Sequence, residues 1–313
     1  MEKLGINSVE KVVIGEIEQL VSLRSKNTNN PILLFLHGGP GTAQIAFSRK
    51  SQKELEEFFI VVNWDQRGAG GSFSTSLKME DLNIERFVLD TEELTTYLLD
   101  RFNQKKIFLV GHSWGSIIGL KFSSRRPDLI EAYIGIGQVV DMKRGEKLSY
   151  KFTLVEAIRR NNEKAITQLK AIGEPPYKKV NDGGIQRKWL SKFNGSTYSG
   201  SLFGIIFKNI SMKDIKSLKI IKFIKGSILS LNSLEDEMNT VNFLEEIPEI
   251  NVPVYFCCGR MDYTVPSELV EEYYVKLSAP HKKIVWFEKS AHLPNFEEVE
   301  KFSNLCISLV RNI

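Results

Sequence analysis

The stretch Val110-Gly111-His112-Ser113-Trp114-Gly115 constrains this chain more than any other. It closes the apolar run from Lys106 to Val110 and opens a helix-like stretch from Ser116 to Arg126. Strand, Gly-x-Ser-x-Gly and helix in that order is the layout of a nucleophile elbow. A serine hydroxyl attacks only when it is exposed, near a base, and close to backbone N–H groups at a helix start. A tight turn meets those conditions and leaves little room for side chains at Gly111 and Gly115. An ordinary strand-to-helix turn is the competing reading of the same six residues.

The 313 residues suffice for a large α/β core with more than one lobe. No run of about 18 apolar residues is present, so no membrane span is expected. The first residues lack a basic segment followed by an apolar one, so no signal peptide is expected. The cysteines are three, with Cys257 and Cys258 adjacent in a predicted strand where they point to opposite faces. We read free thiols and a cytoplasmic, reducing setting. No spacing suggests a metal site, and no cofactor is called for.

Residues 9–14 and 17–24 read as two strands joined by Gly15-Glu16. Continuous apolar runs at 32–36 and 59–64 read as strands covered on both faces. A helix is predicted for 43–58, and another for 84–102 with Asn83 as its N-cap. Further strands are predicted at 132–136, 253–258 and 282–287, and a last helix from about Asn295 with Glu298 in a capping box. Strands alternating with helices imply a mostly parallel, doubly wound sheet. The alternation stops at Asp141 and resumes near residue 251. We therefore expect a core of 1–140 and 251–313 with an inserted, mainly helical cap of 141–250.

The insertion carries nineteen Lys/Arg against thirteen Asp/Glu, including Lys213, Lys216, Lys219, Lys222 and Lys225 spaced by three. Attraction of anionic partners is one reading. A solvated helix edge is the other, and it is preferred because no nucleic-acid motif accompanies the stripe.

Of the four histidines, only His292 follows a late strand by a short loop, where reactive groups gather in an open parallel sheet. His281 sits at a strand start, and His112 is expected to turn away from the nucleophile's side. Asp262 follows the strand ending at Cys258 and is the acid that would orient the base, with Asp141 as runner-up. Asp262 has a second possible role, capping a helix that starts near Pro266. The order Ser, Asp, His matches the elbow chemistry. The oxyanion donors are expected to be the N–H of Trp114 and one from His37-Gly38-Gly39-Pro40-Gly41: Gly39 first, Gly38 as alternative, Pro40 having no N–H. A phosphate cradle is a poor alternative, because the loop lacks the Gly-Lys-Ser/Thr ending.

Together His37-Gly38-Gly39-Pro40-Gly41, Trp64-Asp65-Gln66-Arg67-Gly68-Ala69-Gly70 and Gly111-His112-Ser113-Trp114-Gly115 resemble proline iminopeptidases and their relatives in the α/β-hydrolase superfamily. Gly259-Arg260-Met261-Asp262 and Ser290-Ala291-His292 match as well. The resemblance implies a Ser113–His292–Asp262 triad, oxyanion donors Gly39 and Trp114, and an acyl-enzyme route. Asp65 and Arg67 would brace loops. It also implies an aminopeptidase acting on small peptides or amino-acid amides. A carboxylesterase for small esters and a non-catalytic ligand-binding module are the competing classes.

The departures fall where substrate is chosen. Iminopeptidases hold the free amino group with cap glutamates, often after Trp; here Leu190 follows Trp189, and Tyr263 follows the acid. Glu235, Glu237 and Tyr263 are the candidate substrate contacts, with Asp236 and Glu156 as further carboxylates. A small molecule or short peptide is the only partner expected; oligomeric state is open.

Overall fold

The computed structural model describes residues 5–177, 179, 181–210 and 220–311. Eight strands form one sheet: β1 (Ile6–Ile14), β2 (Ile17–Ser25), β3 (Ile32–Leu36), β4 (Ile60–Asp65), β5 (Ile107–His112), β6 (Ile130–Ile136), β7 (Val254–Gly259) and β8 (Lys282–Phe287). Their order is β1-β2-β4-β3-β5-β6-β7-β8. The β1–β2 hairpin and the β2–β4 pair are antiparallel, and every later pair is parallel. The hairpin turns at Gly15 and Glu16, both at positive φ (54° and 66°), as a two-residue turn between right-twisted strands requires.

The central strands are buried on both faces because helices cover both sides. One apolar cluster gathers α2 (Ile84–Phe102) and α3 (Trp114–Arg125) against the sheet; the other joins β3, β5 and β6 to α12 (Val299–Arg311). Gly119 of α3 lets that helix close on the sheet, since a Cβ there would lie 2.7 Å from the Tyr133 ring. Between β6 and β7 run α4 (Met142–Arg159), α5 (Glu163–Ile172), α6 (Asp182–Lys192), α7 (Leu202–Asn209), α8 (Ile220–Met238) and α9 (Phe243–Glu246), with no strand among the described residues. The helices α10 (Ser267–Lys276) and α11 (Pro294–Glu297) flank β8.

Two predicted helices differ. Residues 43–58 form only α1 (Ile45–Ser48) and a 3-10 turn at Glu54–Glu57. The chain bends so that Ser48 and Gln52 meet Arg24, and Gln52 meets Asn63, in a buried polar network that a straight helix would not reach. The last helix is split at Glu298, whose carboxylate accepts from the Lys289 N–H and the Ser290 hydroxyl instead of closing a capping box. No helix among the described residues is long and apolar enough to cross a membrane.

Candidate active site

β5 delivers Ser113 to the carboxyl edge of the sheet in a strained turn, at φ 53° and ψ −119°. That left-handed backbone costs a non-glycine residue about 1–3 kcal/mol, and the neighbouring glycines make it possible. A Cβ on Gly115 would lie 2.2 Å from the Leu36 carbonyl, and one on Gly111 would lie 2.6 Å from the Gly115 carbonyl. Gly115→Ala is therefore expected to cost about 1–3 kcal/mol or more. Gly184→Ala, in open space on α6, is expected to gain up to about 1 kcal/mol. Urea midpoints of the two variants shifting in the same direction would refute this.

The elbow is anchored from several sides. The Ser113 N–H donates to the Ile136 carbonyl at 2.9 Å. The Trp114 side chain is buried, donates to Gln66 Oε1 at 2.9 Å and meets Phe87 edge-on at 5.3 Å. Gln66 in turn donates to the His37 carbonyl and, through its N–H, to His37 Nε2. With Nε2 accepting, the His37 proton sits on Nδ1 and is donated to the Gly38 carbonyl at 2.8 Å. Thr42 N–H donates to that same carbonyl at 3.3 Å. In a trans peptide the following N–H points the opposite way, so the Gly39 N–H is directed away from this pair.

The base and acid candidates meet. His292 Nδ1 lies 2.9 Å from Asp262 Oδ2; the carboxylate accepts, so Nε2 is left as a lone pair. Asp262 is buried, and its Oδ1 accepts the N–H groups of Thr264 and Val265, both at 2.9 Å. Those two N–H groups precede α10, whose N-cap is Pro266 with no side-chain cap bond, so Asp262 braces its own loop and does not cap that helix as the alternative reading expected. Gly137 packs beneath the pair: a Cβ there would lie 2.8 Å from the His292 ring and 3.2 Å from Asp262 Oδ2. The runner-up Asp141 is occupied elsewhere, capping α4 through the Arg144 N–H.

His112 departs from expectation. Its ring does not turn away but lies 4.9 Å from the His292 ring, with Nε2 2.9 Å from the His292 carbonyl. Three residues missed from the sequence also hold the His292 loop. The Ser196 carbonyl accepts the His292 N–H at 3.2 Å, and Glu297 accepts the N–H groups of Ala291 and Tyr198. Glu298 braces residues 289–290 as described above. The glutamates, five and six residues past the histidine, left a short-range trace in sequence; Ser196, almost a hundred residues away, left none.

The candidate substrate residues are scattered. Glu237 accepts the Ile84 N–H at 2.7 Å, completing the start of α2, and so is not a free amine acceptor. Glu235 is exposed. Glu156 is paired with Arg159 and Arg160. Tyr263 stacks on Phe152 at 3.6 Å and donates its N–H to the Gly195 carbonyl. Beside it lies an open cleft of about 450 Å³ walled by Phe152, Phe193, Tyr198 and Met261 together with the charged Glu156, Arg159 and Arg160. In the lysine stripe, Lys222 donates to the Phe73 carbonyl and Lys225 is exposed; Lys213, Lys216 and Lys219 lie outside the described residues. Asp65 and Arg67 brace loops: Asp65 accepts the Gly71 N–H, and Arg67 pairs with buried Asp90.

Burial pushes His37 down to about 4. It pushes His112 to about 3, with His292 and His37 adding to the effect. Burial pushes Asp65 up to about 7, against the pull of backbone N–H donors. Between pH 5 and 6 the unfolded histidines bind protons that the folded ones refuse, so stability falls on acidification. Asp65 opposes this, keeping a proton that the unfolded carboxyl releases. Asp65→Asn should therefore steepen the acid loss by about 1.4 kcal/mol per pH unit. Urea unfolding at pH 6 and 5 checks it; an unchanged slope would count against a protonated Asp65.

The model of the alpha/beta hydrolase fold family matches residues 31–299. The chain belongs to the α/β-hydrolase family. It is 37% identical over 308 residues to the probable aminopeptidase YbaC of Bacillus subtilis (strain 168), covering 97% of this chain and 96% of that one. It is 25% identical to the proline iminopeptidase of Heyndrickxia coagulans, over 88% of this hydrolase and 89% of the relative. The solved proline iminopeptidase of Mycobacterium smegmatis superposes with a TM-score of 0.69 at 15% identity, over 97% and 98% of the two chains; this likeness concerns the fold. The expected fold class and family resemblance are thus both met. Cys257, Cys258 and Cys306 are free and buried.

Proposed function

We propose that this hydrolase is a serine aminopeptidase of the proline-iminopeptidase kind, cleaving small peptides or amino-acid amides with an N-terminal proline or other apolar residue. His292 takes the proton from Ser113 as its oxygen attacks the carbonyl, and Asp262 stabilises the imidazolium. The N–H groups of Gly39 and Trp114 hold the oxyanion. Water then releases the acyl group by the reverse proton path. The observation that carries this reading is the 2.9 Å bond from His292 Nδ1 to Asp262, which leaves Nε2 free to accept, on a loop tied to the serine elbow through His112. Residues 141–250 act as a cap, and their loop at 194–199 bonds to both the acid and base loops. Free buried thiols support a reducing compartment.

Peptidase specificity is drawn from the relatives' names, and one observation favours the second reading, a carboxylesterase for small esters. Glu237 and Glu156 are committed to other partners, and Glu235 is exposed. An ester needs no amine acceptor. Comparing prolyl-naphthylamide with p-nitrophenyl acetate separates the two. The peptidase reading expects the amide to be cleaved with the higher kcat/KM; ester cleavage faster by orders of magnitude removes it. A non-catalytic module would leave both substrates and a fluorophosphonate untouched.

A further inference from the structure

We infer that His112 is a positioning residue that holds the main chain of His292 in register with the serine elbow. This rests on the reading of His292 as the base. A carbonyl can only accept, so the 2.9 Å contact with the His292 oxygen puts the His112 proton on Nε2. The other main-chain group of His292, its N–H, goes to Ser196 at 3.2 Å. Both polar groups that flank the base's Cα are therefore tied, one to the residue preceding the nucleophile and one to the inserted segment.

The His112 ring has little room to swing. A Cβ on Gly38 would lie 2.9 Å from His112 Nδ1 and 3.2 Å from Ser113 Cβ, so the loop carrying the expected oxyanion donor closes its other side. The ring is a spacer between that loop and the base loop. The titratable groups around it are His292 and His37, with Asp262 behind His292. Burial and these two histidines keep it neutral. A cation at 112 would oppose the imidazolium that must form on His292; a neutral N–H donor fixes the loop without that penalty. Misplacing a reacting group by about 1 Å costs on the order of 10²-fold.

The test compares His112→Phe, which keeps a ring without the donor, with His112→Gln, which keeps a donor. With a substrate identified by the comparison above, His112→Phe should lose about 10- to 100-fold in kcat with KM within about twofold. His112→Gln should recover most of kcat. Parent-like kcat in His112→Phe, or equal losses in both variants, overturns the inference. Should His112→Phe not fold, ¹⁵N spectra of the histidine rings in the unaltered protein decide at pH 6–8. A neutral Nε2–H tautomer at His112 is expected, and a charged or Nδ1–H ring overturns it. Fluorophosphonate labelling of Ser113→Ala and His292→Ala reads the underlying site separately. Undiminished labelling there refutes the triad itself, whatever His112 does.

Discussion

Ser113→Ala is expected to lower kcat by about 10⁴–10⁶-fold while leaving KM and the unfolding midpoint little changed. The side chain is a small, partly exposed hydroxyl at a turn whose backbone is set by Gly111, Gly115 and the bond to Ile136, none of which needs the oxygen. Removing it deletes the proposed nucleophile and spares the Trp114 and His37 anchors. The residual rate, from oxyanion donors and binding alone, should still exceed that of water. Steady-state kinetics on the better of the two test substrates measures it. Retention of a tenth of the parent rate would place the chemistry elsewhere in the molecule.

Asp262→Asn is expected to cost about 10⁴-fold at neutral pH, and the hydrogen bonds around the residue say why. The N–H groups of Thr264 and Val265 both point at Oδ1, so an asparagine must put its oxygen there. Its NH₂ then occupies the place of Oδ2 and faces His292 Nδ1. Two donors cannot face each other, so the imidazole proton moves to Nε2, and the ring can no longer accept from Ser113. The loss comes from the wrong tautomer at intact geometry. Ring ¹⁵N shifts of His292 should report the exchange, and a rate within tenfold of the parent would rule the mechanism out.

The sequence by itself determined the strand–turn–helix around Ser113, the strand alternation, and the chain order of the candidates Ser113, Asp262 and His292. These are signals of short range: a glycine on either side of the serine, apolar runs about six residues long, and polar loops at strand ends. Each is dictated by backbone sterics or by the need to bury a strand on both faces, and each survives without knowledge of partners. Only the tertiary structure decided how the side chains are employed. Glu237 completes α2 from 153 residues away, and His112 meets the His292 carbonyl across 180 residues. Ser48 and Gln52 bend a helix that their own periodicity favours, because Arg24 and Asn63 need hydrogen bonds once buried. A polar side chain's partner is set by whichever donor or acceptor is desolvated beside it, and that neighbour exists only after the sheet has formed.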